Sequence, residues 1–200
     1  MSLPANAFPY ELEEYFILEQ RLRHEDPNGL CHEYISGYAV PRPDTSPPHD
    51  LVLSNLRRKI EKQLRQKRSC SYYGNTTRIE VYRTFYTYPD ASVVCGDARL
   101  SSDHTLSNPT IIFEVLSAST RNYDLGGKIT EYRMIPSLQD LIYIDSDRGN
   151  ITHLFRHGSL WHLKDLHPGV GKLEIKSIEC VLSLTELYEG VELSFMESDP

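Results

Sequence analysis

The chain has 200 residues, the length of one ordinary domain. Apolar residues make up 40% and charged residues 24%, so the chain can bury a core, and a disordered or fibrous protein is excluded. The 21 basic and 28 acidic side chains give a net charge of 21 − 28 = −7 with the histidines neutral. This negative charge disfavours a protein that coats nucleic acid non-specifically. We expect a single domain over residues 1–200, with its core at about 31–165.

Targeting and redox signals are weak in this sequence. No apolar stretch approaches the roughly 18 to 20 residues that cross a bilayer, and the first ten residues carry no secretory signal. The cysteines at 31, 70, 95 and 180 lack the short spacing typical of a zinc site. We expect reduced thiols without a disulfide framework, a cytoplasmic location and no contact with membranes.

The first half of the chain alternates helix and strand signals. The pattern predicts an acidic helix over 11–23 and a strand over 31–40. The proline-rich segment 41–48 is then predicted to exclude helix and strand interior alike. Asp50 is the predicted N-cap of a helix from 51 to about 68, whose apolar residues form one narrow stripe.

The second half is richer in strand signals. We predict a turn at 72–75, strands at 78–86, 91–95, 110–116 and 141–144, and helices at 124–134 and 183–189. A hairpin is predicted over 151–163, and its histidines are expected to be ordinary surface or hairpin residues. This order predicts a mixed α/β or α+β fold, with a central mixed sheet flanked by helices. An added N-terminal helix and strand and a C-terminal hairpin complete the prediction.

The most informative feature is a pair of carboxylates on neighbouring predicted strands. Asp90 follows Tyr88-Pro89, and Glu114 lies within the apolar run 111–116. An ionised carboxylate among such neighbours is costly unless it is paired or binds a cation. If the two strands pair, Asp90 and Glu114 can hold one Mg²⁺. The alternative is a buried salt bridge at Glu114 and a strand cap at Asp90, because sequence alone does not fix strand register.

A lysine follows on the next predicted helix. Lys128 lies one turn after Asp124 and one turn before Tyr132, so the three side chains share a helix face. An ammonium group beside a metal-bound water helps to deprotonate it or stabilises a pentavalent transition state. The alternative is a surface ion pair between Asp124 and Lys128.

These residues belong to a longer pattern. Tyr88-Pro89-Asp90, the run NPTIIFEVLSAST at 108–120, and Asp124-x-x-x-Lys128-x-x-x-Tyr132 together resemble the Uma family of restriction-endonuclease-like proteins. Glu33-Tyr34-Ile35-Ser36-Gly37 and His49 fit the same pattern, and the resemblance spans residues 10–189. The family is similar to the PD-(D/E)XK nucleases. The resemblance therefore implies a restriction-endonuclease-like core and hydrolysis of phosphodiester bonds in nucleic acid, expected to be DNA, with Mg²⁺ or Mn²⁺; a homodimer is expected by analogy.

The resemblance also implies roles for individual residues. Asp90 and Glu114 take the metal-binding positions, and Glu33 matches an acidic position that is either a further ligand or base or only solvated. The superfamily places a lysine two residues after the second carboxylate, where this chain has Leu116. Lys128 is the expected substitute.

Other positions are less informative. His49 either touches the site or is only a cap or surface residue, and Glu80 is most simply on a solvated or inter-strand face. Ser117 and Thr120 are expected to be turn and helix-cap residues, with a contact to phosphate as the alternative. The helix at 51–68 carries a basic face that either binds nucleic-acid phosphates or is only solvated, with Arg57, Arg58, Lys62 and Arg65 as the candidate contacts.

Two functions of different classes are consistent with the sequence. The first is a metal-dependent endonuclease that uses Asp90, Glu114, Lys128 and Glu33. The second is a catalytically inactive nuclease-fold module that binds nucleic acid or a protein. The missing in-motif lysine and the net charge of −7 favour the second modestly.

Overall fold

The computed structural model describes residues 7–26, 31–67, 69–117, 127–168 and 171–194. Its helices are α1 (Leu12–Glu25), α2 (Pro47–Leu64), α3 (Ile129–Tyr132) and α4 (Leu184–Leu187). Its strands are β1 (Phe8–Pro9), β2 (His32–Ile35), β3 (Tyr38–Pro41), β4 (Cys70–Gly74), β5 (Ile79–Tyr82), β6 (Phe85–Thr87), β7 (Ala91–Cys95), β8 (Ile111–Leu116), β9 (Asp140–Asp145), β10 (Ile151–His157), β11 (Leu160–Leu166), β12 (Lys172–Ile175) and β13 (Cys180–Ser183).

A six-stranded mixed sheet lies at the centre of the fold, in the order β11-β10-β9-β8-β7-β4. Strands β8 and β9 run parallel, whereas the other neighbours in this sheet are antiparallel. A five-stranded antiparallel sheet, β1-β3-β2-β6-β5, and the β12-β13 pair accompany it. The predicted mixed fold with a central sheet is confirmed. Because parallel neighbours require a crossover, the chain crosses the sheet between β8 and β9, and α3 lies in that connection.

Strands β8 and β9 are buried along their whole length. Side chains alternate between the two faces of a strand. Phe113 and Val115 pack in one hydrophobic core with α2, whereas Ile112 packs in a second core with Tyr132 of α3. Glu114 shares the face of Ile112 and therefore lies on the side of the sheet that α3 covers.

Helix α2 begins at Pro47, ahead of the predicted start after Asp50. The N-cap is Ser46, whose side chain accepts a hydrogen bond from the backbone N–H of His49 over 3.4 Å. The prediction that the proline-rich segment excludes helix is wrong at Pro47 and Pro48. Proline is tolerated in the first turn because the N–H that it lacks has no helical partner there.

Two of the predicted strands are hairpins in the structure, and some strands of the structure were not predicted. The predicted strand 31–40 divides into β2 and β3 at Ser36 and Gly37, which have φ angles of 50° and 90°. The predicted strand 78–86 divides into β5 and β6. The predicted turn at 72–75 is wrong for Tyr72, Tyr73 and Gly74, which belong to β4 and pair with β7, whereas Asn75 lies in the turn that follows. Neither β1 nor the β12-β13 pair was predicted.

The predicted helices near the site and the chain end are shorter than expected. Residues 118–126 lie outside the described part of the chain, including Thr120 and Asp124. From Lys128 onward the predicted helix is present as α3, with Lys128 as its N-cap. The predicted helix at 183–189 is present as α4, with Ser183 as its N-cap.

The predicted hairpin is formed by β10 and β11. Its histidines were expected to be ordinary surface or hairpin residues, and His153 is a hairpin residue that is buried. Its Nε2 lies 2.6 Å from Oδ1 of Asp140 on the neighbouring strand β9.

The expectation of reduced thiols without disulfides is wrong for one pair of cysteines. Cys70 and Cys95 lie directly opposite each other on β4 and β7 and form a disulfide. The expectation failed because the two residues are 25 positions apart and only strand register brings them together. The cytoplasmic location stays a prediction, and this disulfide removes one of its supports. In the described ranges, no helix has the length and apolar character needed to cross a membrane.

Candidate active site

The antiparallel pairing of β7 with β8 brings Asp90 and Glu114 together. The register places Ala91 opposite Phe113, so Asp90, one residue before β7, lies beside Glu114. The backbone N–H of Asp90 donates to Oε2 of Glu114 over 3.3 Å. In return, the backbone N–H of Val115 donates to Oδ2 of Asp90 over 2.7 Å. Both carboxylates are buried.

Lys128 reaches this pair from the crossover connection. Its Nζ lies 3.5 Å from Oε1 of Glu114 and 2.8 Å from Oε1 of Glu33. Glu33 belongs to β2, so the lysine links the five-stranded sheet to the central one. All three side chains are buried, where an unpaired charge would be costly. The structure therefore brings together the four residues that the resemblance implied: Glu33, Asp90, Glu114 and Lys128.

Tyr132 and Thr87 close a ring of polar contacts around the lysine. The hydroxyl of Tyr132 donates to Oε1 of Glu114 over 2.5 Å and lies 3.2 Å from Oγ1 of Thr87. The Thr87 hydroxyl in turn donates to Oε1 of Glu33. Burial, together with the negative charge of Glu114, raises the pKa of Tyr132 well above its ordinary value. Tyr132 therefore stays protonated and holds one carboxylate oxygen in place.

Asp90 has two basic neighbours of its own. Nη2 of Arg42 lies 3.3 Å from Oδ1 of Asp90, and Nε2 of His49 lies 3.2 Å from Oδ2. On its other side, Nδ1 of His49 lies 3.3 Å from Oδ1 of Asp50. His49 lies in the first turn of α2 and touches the site. Because the N-cap of that helix is Ser46, His49 is not a cap, and of the two alternatives for this residue the contact with the site is the one observed.

These contacts shift the proton affinities of the site. Burial alone would raise the pKa of Asp90, but the hydrogen bond and charge of His49, with Arg42, hold it below its ordinary value. Burial likewise opposes ionisation of Glu33, but the charge and hydrogen bond of Lys128 lower its pKa. Burial lowers the proton affinity of His49, but its bonds to Asp90 and Asp50 raise its pKa overall.

A small pocket opens onto these groups. Its walls include the acidic residues Glu33, Asp90 and Glu114, the basic residues Arg42, His49 and Lys128, and part of the proline-rich segment 43–45. Ser117, which was expected in a turn, also lines it. A substrate that enters this pocket would therefore meet carboxylates and cations side by side.

The remaining candidates lie elsewhere. Glu80 accepts a hydrogen bond from the Tyr86 hydroxyl over 3.3 Å and is not part of the pocket lining. The four basic residues of the α2 face, Arg57, Arg58, Lys62 and Arg65, are exposed and lie opposite the buried stripe of that helix.

The sequence reasoning missed Arg42 and Thr87. Arg42 lies in the proline-rich segment, where no periodicity indicates a direction for its side chain. Thr87 ends a short strand next to the Tyr88-Pro89-Asp90 motif, and that proximity was its only signal. Tyr132 was placed on the helix face of Lys128, but its bond to Glu114 was not foreseen.

The carboxylates suit a small divalent cation by their chemistry. Mg²⁺ prefers oxygen ligands and usually keeps several waters beside one or two carboxylates. Asp90 and Glu114 supply two such groups in the lining of the pocket. Within the described residues, no three His, Cys, Asp or Glu side chains are grouped as a metal site. Asp90 and Glu114 are therefore the residues that could hold an ion, with water completing its coordination.

A family model matches residues 12–185 of the chain, and its description is "Uma2: Putative restriction endonuclease". This chain belongs to the Uma2 family. The Uma2 match contains Glu33, Asp90, Glu114 and Lys128. The resemblance noted from the sequence motifs is confirmed.

Similar proteins agree with the Uma2 assignment. The chain is 29% identical over 190 residues to the uncharacterized protein slr1290 of Synechocystis sp., covering 94% of this chain and 96% of that protein. It is 28% identical over 148 residues to the uncharacterized protein sll1609 of the same organism, covering 72% and 84%. The crystal structure of "a putative nuclease belonging to DUF820" from Anabaena variabilis superposes with a TM-score of 0.65 at 17% identity, covering 78% of this chain and 89% of that one. That likeness shows a shared fold.

Proposed function

We propose that this chain is a metal-dependent endonuclease that hydrolyses phosphodiester bonds, with DNA as its substrate. The observation that carries the proposal is the convergence of Asp90 and Glu114, with the ammonium of Lys128 at 3.5 Å from Glu114. Membership of a family described as restriction endonucleases supports the same reaction class.

The proposed roles follow from the contacts. Asp90 and Glu114 would hold Mg²⁺ or Mn²⁺, which supplies a bound water of lowered pKa and neutralises charge on the leaving oxygen. Lys128 would stabilise negative charge that develops on the phosphate. Glu33 and Tyr132 position the lysine and Glu114 through the contacts that they make with them.

The test is cleavage of plasmid DNA by purified protein with Mg²⁺ or Mn²⁺. We expect Asp90→Asn and Glu114→Gln to reduce the rate about a thousandfold or more, since several kcal/mol of transition-state stabilisation would be lost. Glu131→Gln is the matched control, because Glu131 lies on α3 but bonds Tyr82 outside the pocket. Cleavage that persists in both carboxylate variants would contradict the proposal.

The alternative is a nuclease-fold module that binds nucleic acid without cutting it. Its specific support is that Arg42, His49 and Lys128 already neutralise the carboxylates of the pocket. Salt-dependent DNA binding that is unchanged in Asp90→Asn, with no cleavage by the wild type, would favour this function.

The basic face of α2 is the proposed DNA contact. Two of its arginines already have acidic neighbours: Arg57 with Glu61 at 2.8 Å and Arg58 with Glu189 at 3.0 Å. Neutralising Lys62 and Arg65 to Gln should lower the slope of log affinity against log salt by about 2, because each lost phosphate contact removes about 0.9. An unchanged slope would assign the DNA contact to another surface.

A homodimer is also proposed. Strand β11 ends the described central sheet, and its Leu160 and Leu163 are 65% and 59% exposed. An edge strand with exposed apolar side chains is a natural place for a second copy to pair. Light scattering should give the mass of a dimer for the wild type and of a monomer for Leu163→Lys. A monomeric wild type would reject the dimer.

A further inference from the structure

Arg42 is a partly buried cation that contacts both the site and a backbone oxygen. One nitrogen, Nη2, lies 3.3 Å from Oδ1 of Asp90, while Nη1 donates to the backbone oxygen of Asn75 over 3.0 Å. The side chain is 20% exposed and lines the pocket together with the proline-rich segment that follows it. Arg42 is therefore anchored at one nitrogen and presents its other nitrogen to the pocket.

The two oxygens of Asp90 are held in different ways. Oδ2 receives the backbone N–H of Val115 at 2.7 Å and faces Nε2 of His49 at 3.2 Å. Both donors belong to regular elements, β8 and the first turn of α2. Oδ1 instead faces Arg42, which lies between β3 and α2. The contact between Arg42 and Oδ1 is therefore the one that another partner of Asp90 can replace without disturbing a strand or a helix.

The net charge of the pocket would change when a metal ion replaces Arg42 at Asp90. Three buried carboxylates, Glu33, Asp90 and Glu114, face the cations Arg42 and Lys128, with the imidazole of His49 beside them. A fourth carboxylate in the lining, Asp44, is exposed and therefore solvated. A divalent cation would add two positive charges to this buried space and leave a positive excess. Uncompensated charge in such a space is unfavourable, and a phosphate group is the anion that a nuclease substrate brings.

We propose that Arg42 is a built-in counter-ion that competes with the metal for Asp90 and turns to the substrate phosphate when the metal binds. This inference rests on the proposed metal site at Asp90 and Glu114. Metal and phosphodiester then bind cooperatively, and by linkage each increases the affinity of the other by the same factor.

The guanidinium group suits this exchange. Its planar array of N–H donors can hold the Asn75 oxygen with one nitrogen while the other nitrogen bonds a carboxylate or a phosphate oxygen, and it stays charged at any working pH. The contact to Asn75 provides a pivot about which the outer nitrogen can move from one oxygen acceptor to another. A lysine at this position would keep the charge but lose the planar array.

The test measures binding rather than cleavage. Mn²⁺ is titrated calorimetrically into the wild type and Arg42→Gln, with and without dimethyl phosphate, a minimal phosphodiester. We expect Arg42→Gln to bind Mn²⁺ alone about fivefold more tightly, because the competitor for Asp90 is gone. Dimethyl phosphate should increase Mn²⁺ affinity in the wild type and have little effect in Arg42→Gln. Arg21→Gln, at an exposed position of α1, is the matched control and should behave as the wild type.

The outcomes separate this inference from the proposed function. If the wild type binds Mn²⁺ but Arg42→Gln binds it equally or more weakly, the exchange is wrong and the metal site stands. If the wild type does not bind Mn²⁺, both are overturned. Should Arg42→Gln fail to fold, Arg42→Lys carries the test: it should keep wild-type Mn²⁺ affinity and lose the dimethyl phosphate effect. Arg42→Lys with the full wild-type effect would contradict the proposal.

Discussion

Two buried acid–base clusters lie on the central sheet, and they differ in the balance of their charges. In the first, Asp140 on β9 faces His153 on β10 at 2.6 Å and also accepts a hydrogen bond from Ser177. In the second, Lys128 faces the two carboxylates of Glu33 and Glu114 at 2.8 and 3.5 Å. A buried carboxylate with a basic partner occurs in both, so burial alone does not identify a functional site.

The two clusters differ in the number of carboxylates that the fold brings together. The Asp140 cluster joins one carboxylate to one imidazole and one hydroxyl, which satisfies the acid and ties the turn at 176–178 to the sheet. In the site cluster, three buried carboxylates line one pocket. Placing like charges close together is unfavourable, so a stable fold alone does not call for this arrangement. Several carboxylates gathered beside an open pocket are therefore a better indicator of function than one buried carboxylate with its partner.

The largest expected effect comes from removing the lysine. Lys128→Met should destabilise the protein by about 3–5 kcal/mol, since Glu33 and Glu114 would lose a shared buried cation. Chemical denaturation measures this loss, and cleavage per folded molecule should fall as well. The double variant Glu33→Gln/Lys128→Met should recover stability without recovering cleavage. A double variant that cuts DNA at the wild-type rate would show that the lysine is only structural.

A smaller effect is expected in the other cluster. Asp140→Asn should cost about 1–3 kcal/mol in the free energy of unfolding, because the charged partner of His153 is lost. Cleavage by the folded fraction should stay at the wild-type rate, as measured at a temperature well below the melting transition. A large loss of cleavage in Asp140→Asn would remove the distinction between the two clusters.

The smallest expected effect is a pH dependence at His49. Its pKa is raised from 6.5 in the folded protein by Asp90 and Asp50, despite the opposing effect of burial. The stability that it contributes is therefore fully present below pH 6.5 and is lost as the pH rises through the folded-state pKa. The stability difference between the wild type and His49→Gln should therefore shrink as the pH rises over that range, as measured by chemical denaturation at a series of pH values. A difference that grows with pH would reverse the assigned sign.

Much of the fold was predictable because its signals are local. The all-apolar runs of β8 and β9 and the apolar stripe of α2 follow from residue type and periodicity. The Asp90 and Glu114 pair was a sound hypothesis because their strands are consecutive in the central sheet.

The features that the sequence did not predict depend on strand register or lie in irregular backbone. The disulfide between Cys70 and Cys95 requires the pairing of β4 with β7, and no pattern in the sequence fixes that register. The contact between Lys128 and Glu33 joins residues on different sheets and the crossover. Arg42 lies outside regular structure, where the direction of a side chain is not set by a period.

The placement of α3 has a further consequence for the site. The carboxylates are fixed by the β7-β8 ladder, whereas Lys128 is supplied by the connection between β8 and β9. A local opening of that short helix would withdraw the ammonium group while the sheet remained folded. Amide hydrogen exchange should therefore be faster across Ile129–Tyr132 than across Ile111–Leu116, and the chain would lose its chemistry well before it lost its fold.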